Sequence, residues 1–194
     1  RSAIRGRAAA LLGEPELSSA REIMAPLAPR SPDRIADVAG EVARRASNDG
    51  MPRTLAQTIN HTLDAALAAR PGLLGFGEDV AVKGGVYGVT RGLQRRHGSS
   101  RVFDTELDEQ AILGLALGSA LNGFVPVPEI QYLAYLHNAE DQVRGEAATL
   151  SFFSNGRYRN PLVIRIASYA YQKGFGGHFH NDNSVAVLRD IPGQ

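Results

Sequence analysis

The groups in this chain that could do chemistry gather in four places. Glu78 and Asp79 follow a short apolar run. Asp104, Glu106, Asp108 and Glu109 lie in FDTELDE, where an acidic loop enters a stretch of small and apolar residues. Glu129 to Tyr135 (EIQYLAY) joins an acid to two tyrosines. His178 and His180 stand two apart in GGHFHNDNS, after a run of glycines. A carboxyl group held in a dry pocket keeps a proton that it can share. Histidine titrates near neutrality and suits proton transfer. The His178/His180 spacing could suit a metal, but no third ligand stands at a recognisable spacing. Taken alone, each acid also has a plainer reading. Glu109 would be a helix N-terminal acid stabilised by the helix dipole. Glu78 would close a strand-loop turn, and Tyr135 would be a core or interface aromatic.

The elements that must carry these groups can be traced in order. Thr54-Leu-Ala-Gln57 is a capping box, and Leu55, Ile59, Leu63 and Leu67 form one apolar face, so a helix is expected over 54–69. Pro71-Gly72 ends it. Leu73 to Phe76 reads as a buried strand that delivers Glu78-Asp79 at its carboxyl end, and Gly84, Gly85 and Gly88 follow in a permissive loop. A strand over 101–103 ends at Asp104-Thr105. The helix after Glu109 carries Gly114 and Gly118 on one face, a spacing that serves either close helix-sheet packing or a subunit interface. A strand over 125–130, a helix over 139–155 with Gly156 as its cap, and a buried strand over 161–167 complete the pattern. Alternating strands and helices predict an α/β fold, a three-layer sandwich with a mostly parallel sheet. Ligands of such sheets bind beyond the carboxyl ends of the strands, which is where the polar groups fall.

Residues 1–50 differ in character. They are rich in Ala and Arg, with prolines at 15, 26, 29 and 32. A helix is expected over 34–46, preceded by a proline-broken extended segment. This part reads as a linker and docking helix, or as the tail of an α-like module. Residues 51–194 form the domain. The chain starts at Arg1 and stops at DIPGQ, so it is expected to be a piece of a longer polypeptide.

Composition narrows the classes. At 194 residues the chain can bury one sizeable core. A net charge of +1 gives no reason to expect nucleic acid or an anionic membrane as partner. The absence of cysteine excludes disulfides, thiolate metal sites and a cysteine nucleophile, and it agrees with a cytoplasmic setting. No apolar run reaches membrane-spanning length, and no signal-peptide pattern is present. His61 and His97 are expected to be solvent-exposed.

GEDV at 77–80, RVFDTELDEQ at 101–110, EIQYLAY at 129–135 and GGHFH at 176–180 stand in the order found in one family. Together they resemble the β subunit of thiamine-diphosphate-dependent 2-oxoacid dehydrogenases, over roughly residues 51–193. The resemblance implies the thiamine-diphosphate-binding fold of a pyrimidine domain, truncated at its C-terminus. It implies that Glu109 is the carboxylic acid that hydrogen-bonds the pyrimidine ring nitrogen and drives the cofactor's imino tautomer. Leu107 would pack against the ring edge and Tyr135 would stack on its face. Gln131 would line the pocket, and Glu78 would take part in proton communication between paired sites. His180 would handle the substrate carboxylate or acyl transfer, with His178 at the family's usual glutamine. Glu106, Asp108 and Asn181 depart from the usual residues. The first two add negative charge beside the site.

The family holds its diphosphate and magnesium with a Gly-Asp-Gly segment followed by Asn, and no such segment occurs in this sequence. The resemblance therefore implies that an α subunit or α-like region supplies that half. It also implies a homo-oligomer through a β-β interface, and a lipoyl domain of the acyltransferase component as acyl acceptor. EIQY-x-x-Y leans toward a branched-chain substrate. Another transketolase-like enzyme, or a non-catalytic assembly module that keeps the fold, are the alternatives.

Overall fold

The computed structural model describes residues 1–16, 18–25, 32–45, 50–168 and 180–191. Ser2–Leu11 (α1), Ala20–Met24 (α2) and Pro32–Arg45 (α3) come first. The expected extended segment is thus replaced by helix over much of its length. Ser19 closes a capping box with Glu22, and Pro32 occupies the first helical position, where its missing N–H is no loss. No residue of α1 or α2 is buried.

The helix Leu55–Ala69 (α4) begins as the capping box predicts: the Thr54 amide donates to Gln57 Oε1 at 2.8 Å, and the Gln57 amide returns to Thr54 Oγ1 at 3.3 Å. Leu73–Gly77 (β1), Leu93–His97 (α5), Val102–Asp104 (β2), Glu109–Leu121 (α6) and Val125–Ile130 (β3) follow. Then come Leu133–Leu136 (α7), Leu150–Phe153 (α8), Arg165–Ile166 (β4) and Ala186–Arg189 (α9).

The sheet has the order β2-β1-β3-β4, and every pairing is parallel. On one face, α6 and α7 pack Ile112, Leu113, Ala116, Leu133 and Leu136 against Leu74, Phe76 and Ile130. On the other, α4 and α5 pack Leu67 and Leu93 against Leu73 and Val102. These are the three layers expected. The chain leaves β1 toward β2 and leaves β3 toward β4, in opposite directions. The switch point therefore lies between β1 and β3, and a crevice opens beyond their carboxyl ends.

Three local expectations need correction. The helix over 139–155 is a longer helical run of uneven pitch. It starts at α7, tightens at His137–Ala139, widens to a π turn over Gln142–Ala147 and ends in α8. The wide turn shows in the Ala148 amide, which donates to Val143 O, five residues back, at 2.9 Å. The strand over 161–167 pairs only at Arg165 and Ile166. Even-numbered β3 residues face β4, as the Val163 amide bonded to Pro126 O shows, so Pro126 and Pro128 withhold the two donors that pairing would need there. Finally, His97 is not exposed. It ends α5 with its side chain 14% accessible and Nε2 2.6 Å from Asp64 Oδ1.

Candidate functional site

The loops beyond β1 and β2 are tied together by backbone. The Thr105 amide donates to Gly77 O at 3.1 Å, and the Ala81 amide donates to Asp104 Oδ1 at 2.7 Å. Asp104 is therefore structural and holds the Glu78–Ala81 turn against the Thr105–Asp108 loop. Asp79 adopts φ +59, the left-handed region that Asp enters more readily than most residues with a side chain and that suits a tight turn.

Asp108 caps α6, its Oδ1 accepting from the amides of Gln110 at 3.0 Å and Ala111 at 3.1 Å. Glu109 is thereby fixed at the first helical position, half-buried. So the added acid at 108 serves the helix start, and the dipole reading of Glu109 holds alongside any chemical one. Glu109 and Glu78 are electrostatic neighbours. Burial pushes the Glu78 carboxyl above its usual range, and the charges of Asp79 and Glu109 push it further.

The segment after β3 reaches both parts of the site. Asn138 donates to Glu109 Oε2 at 3.4 Å. One turn earlier, Tyr135 carries its hydroxyl to 3.0 Å from His180 Nε2. The His180 ring stacks on Tyr132, with centroids 4.2 Å apart and planes 16° from parallel, and lies edge-on to Tyr135. Tyr132 in turn meets Tyr87 edge-on at 6.5 Å.

The structure thus brings Glu78 to Glu109 and Tyr135 to His180, with the segment from Tyr135 to Asn138 linking the two pairs. Leu107 stands 71% exposed two residues before Glu109. Gln131 is half-buried just past the end of β3. His178 lies outside the described residues. Among the described residues, no group of three or more His, Cys, Asp or Glu side chains is placed to hold a metal. No described helix is long and apolar enough to cross a membrane.

Sequence reasoning missed Tyr87 and Asn138, which carry no spacing signal, and gave Tyr132 no role of its own beside its place in EIQY-x-x-Y. It also missed a buried ion pair, Glu129–Arg165, beneath the loop after β1. That one was legible: a lone Arg in PLVIRIA and a Glu that alternates with Val125 and Val127 both need a partner.

A parallel sheet flanked by helices on both faces, with acidic and aromatic groups on the loops at its switch point, defines an α/β domain whose candidate site lies at the strand ends. The family described as "Transketolase, pyrimidine binding domain" matches residues 52–193, and the chain belongs to it. The chain is 43% identical over 145 residues to the pyruvate dehydrogenase E1 component subunit beta of Staphylococcus epidermidis, covering 72% of this chain and 42% of the relative. It is 46% identical over 132 residues to the 3-methyl-2-oxobutanoate dehydrogenase subunit beta of Mycobacterium tuberculosis, covering 68% and 37%. The pyruvate dehydrogenase subunit beta of Bacillus subtilis is 44% identical over 145 residues. The chain thus spans less than half the length of these relatives.

The residues present fit the aminopyrimidine end of thiamine diphosphate. A carboxyl group at a helix start, a tyrosine on α7 and an exposed apolar side chain at Leu107 are the kinds of group that would meet a flat, basic heterocycle.

Proposed function

We propose that this chain is the pyrimidine-binding part of a thiamine-diphosphate-dependent 2-oxoacid dehydrogenase, in its decarboxylating component. The observation that carries the reading is the convergence of Glu109, Glu78 and Asn138 beyond the strand ends of a sheet whose family binds this ring. Bound thiamine diphosphate would supply the electron sink for decarboxylation of a 2-oxoacid.

The chain's own residues have definable roles. Glu109 holds a proton on its carboxyl toward the pyrimidine ring nitrogen. Glu78, pushed toward its protonated form, supplies or receives protons beside it. Tyr135 and Leu107 hold the ring by face and edge, with Gln131 on the pocket wall. His180 handles the substrate carboxylate or the acyl transfer. The diphosphate and magnesium belong to an α subunit or α-like region. A lipoyl domain of the acyltransferase component takes the acyl group, and the setting is cytoplasmic. EIQYLAY favours a branched-chain substrate, while relatives named for pyruvate and for 3-methyl-2-oxobutanoate match this chain at similar identity.

We also assign residues 1–50 to a linker and docking region, and 51–194 to the pyrimidine-binding domain. The small-residue face of α6 supports the homo-oligomer. Helix-sheet packing is carried by Ile112, Leu113, Ala116 and Leu117, while a Cβ built on Gly114 or Gly118 meets nothing within 4 Å.

The test is exchange of the cofactor's thiazolium proton for deuterium in the complete enzyme. Glu109→Gln keeps the shape but not the shareable proton. The loss of a hydrogen bond of this kind, about 1.5–3 kcal/mol, slows exchange by about one to two decades. Glu106→Gln should leave the rate nearly unaltered. Equal slowing by both would move the acid elsewhere, and no slowing by either would leave an assembly module.

A further inference from the structure

Beneath this site lies an ionic pair that has no part in the chemistry proposed for it. Asp104, Gly77, Glu129 and Arg165 stand in register across β2, β1, β3 and β4, a row at the carboxyl end of the sheet that is polar except at Gly77. Glu129 is 2% exposed and is ion-paired with Arg165. Their surroundings are apolar: Leu63, Leu67, Leu73, Leu93 and Val127 enclose a cavity of about 10 Å³, room for at most one water. A carboxylate alone in such a place would take up a proton. Arg165 supplies the opposite charge. Burial lowers its own guanidinium to about 10, which leaves it cationic at neutral pH.

The loop after β1 is moulded on that carboxylate. The Val86 amide donates to Glu129 Oε1 at 2.9 Å. A Cβ on Gly85 would lie 2.9 Å from Glu129 Oε2, and one on Gly77 would lie 2.5 Å from Glu129 O, so the chain approaches where only glycine fits. Thr90 Oγ1 closes the base of the loop by donating to Val80 O at 2.7 Å. Val86 leads directly into Tyr87, held at φ +56 with its ring against Tyr132, and Tyr132 carries His180. Glu78 sits at the other end of the same loop.

We propose that Glu129, paired with Arg165, is a positioning residue that shapes the 78–87 loop and so places Glu78 and Tyr87 at the candidate site. The proposal rests on the thiamine reading for what the site does, but the moulding itself is measurable without cofactor.

The probe is hydrogen exchange at the Val86 amide of this chain, in whatever assembly it forms. Glu129→Gln and Arg165→Met should each speed that exchange by at least about tenfold, the scale of a lost charge-assisted hydrogen bond, and Arg165→Lys should restore most of the protection. A Glu129→Leu/Arg165→Met double variant guards against simple unfolding. It has no buried charge to desolvate, so its global stability should equal or exceed that of the parent, yet Val86 should still exchange fast. Unchanged Val86 exchange in the single variants would overturn the proposal, as would full protection in the double variant.

In the complete enzyme, Glu129→Gln should also shift the pH dependence of thiazolium-proton exchange, because Glu78 moves relative to Glu109. An unchanged profile with a loosened loop would overturn the link to the site. Absence of thiazolium exchange in the unaltered enzyme would sink the thiamine reading and leave the Val86 result standing.

Discussion

The Tyr135 hydroxyl lies 3.0 Å from Nε2 of His180, two side chains separated by 45 residues of sequence and joined across the candidate site. Stacking on Tyr132 at 4.2 Å fixes the plane of the same imidazole. One tyrosine thus sets which way the ring faces and the other addresses a single nitrogen. A phenol that donates to Nε2 leaves the imidazole proton on Nδ1.

Tyr135→Phe tests this division of labour. The fold should be nearly unaffected, with a loss of about 1 kcal/mol or less, because one partly buried hydrogen bond disappears and the ring remains. The tautomer should change: imidazole ¹⁵N shifts should move from the Nδ1–H form toward a mixture with Nε2–H. An unaltered Nδ1–H signature would mean that another group, and not the Tyr135 hydroxyl, selects the tautomer.

Glu78 makes a prediction in pH. Burial, with Asp79 and Glu109 as like-charged neighbours, raises its carboxyl above the ordinary 4.5, so folding favours its protonated form. Below the ordinary value both folded and unfolded chains are protonated and the group costs nothing. As pH rises through the raised value the folded chain must ionise it, and stability is lost. Glu78→Gln should therefore be more stable than the parent at pH 7, with the difference closing below about pH 4.5. Urea midpoints at the two pH values measure it. A gap that widens on acidification would mean that Glu78 is stabilised as an anion. A stability cost retained beside Glu109 is the pattern expected of a working group.

The parallel order and the three layers were legible because strand and helix periods are written in apolar spacing, and because Thr54-Gln57 and Pro71-Gly72 mark boundaries. Glu109 and Glu78 were legible as strand-end acids. What was not legible depends on partners distant in sequence. His97 looks like part of a basic loop until α4 brings Asp64 to it. Tyr132 looks like a generic aromatic until His180 lies on its face. The short β4 follows from the prolines of its neighbour, whose effect on pairing appears only once β3 is known to face it with residues 126 and 128.

Glycines at two places predict opposite responses to the same substitution. Gly77 sits at φ +150, and an added Cβ would meet Glu129 O at 2.5 Å, main chain that cannot swing aside. Gly77→Ala should cost more than about 2 kcal/mol and loosen the loop that carries Glu78. Gly114 lies inside α6 with nothing within 4 Å of an added Cβ. There Gly114→Ala should stabilise the isolated fold by about 0.5–1 kcal/mol, the ordinary gain in a helix interior. Its neighbours Leu115 and Leu121 are 44% and 48% exposed, a small-and-apolar face that a second chain could approach closely. If it does, each methyl group added at Gly114 holds the two backbones apart. Gly114→Ala should then weaken association while raising the stability of the dissociated fold, and Gly114→Leu should shift the particle to monomer in sedimentation. Unchanged mass for both variants, with the stability gain intact, would free this face from any role between chains.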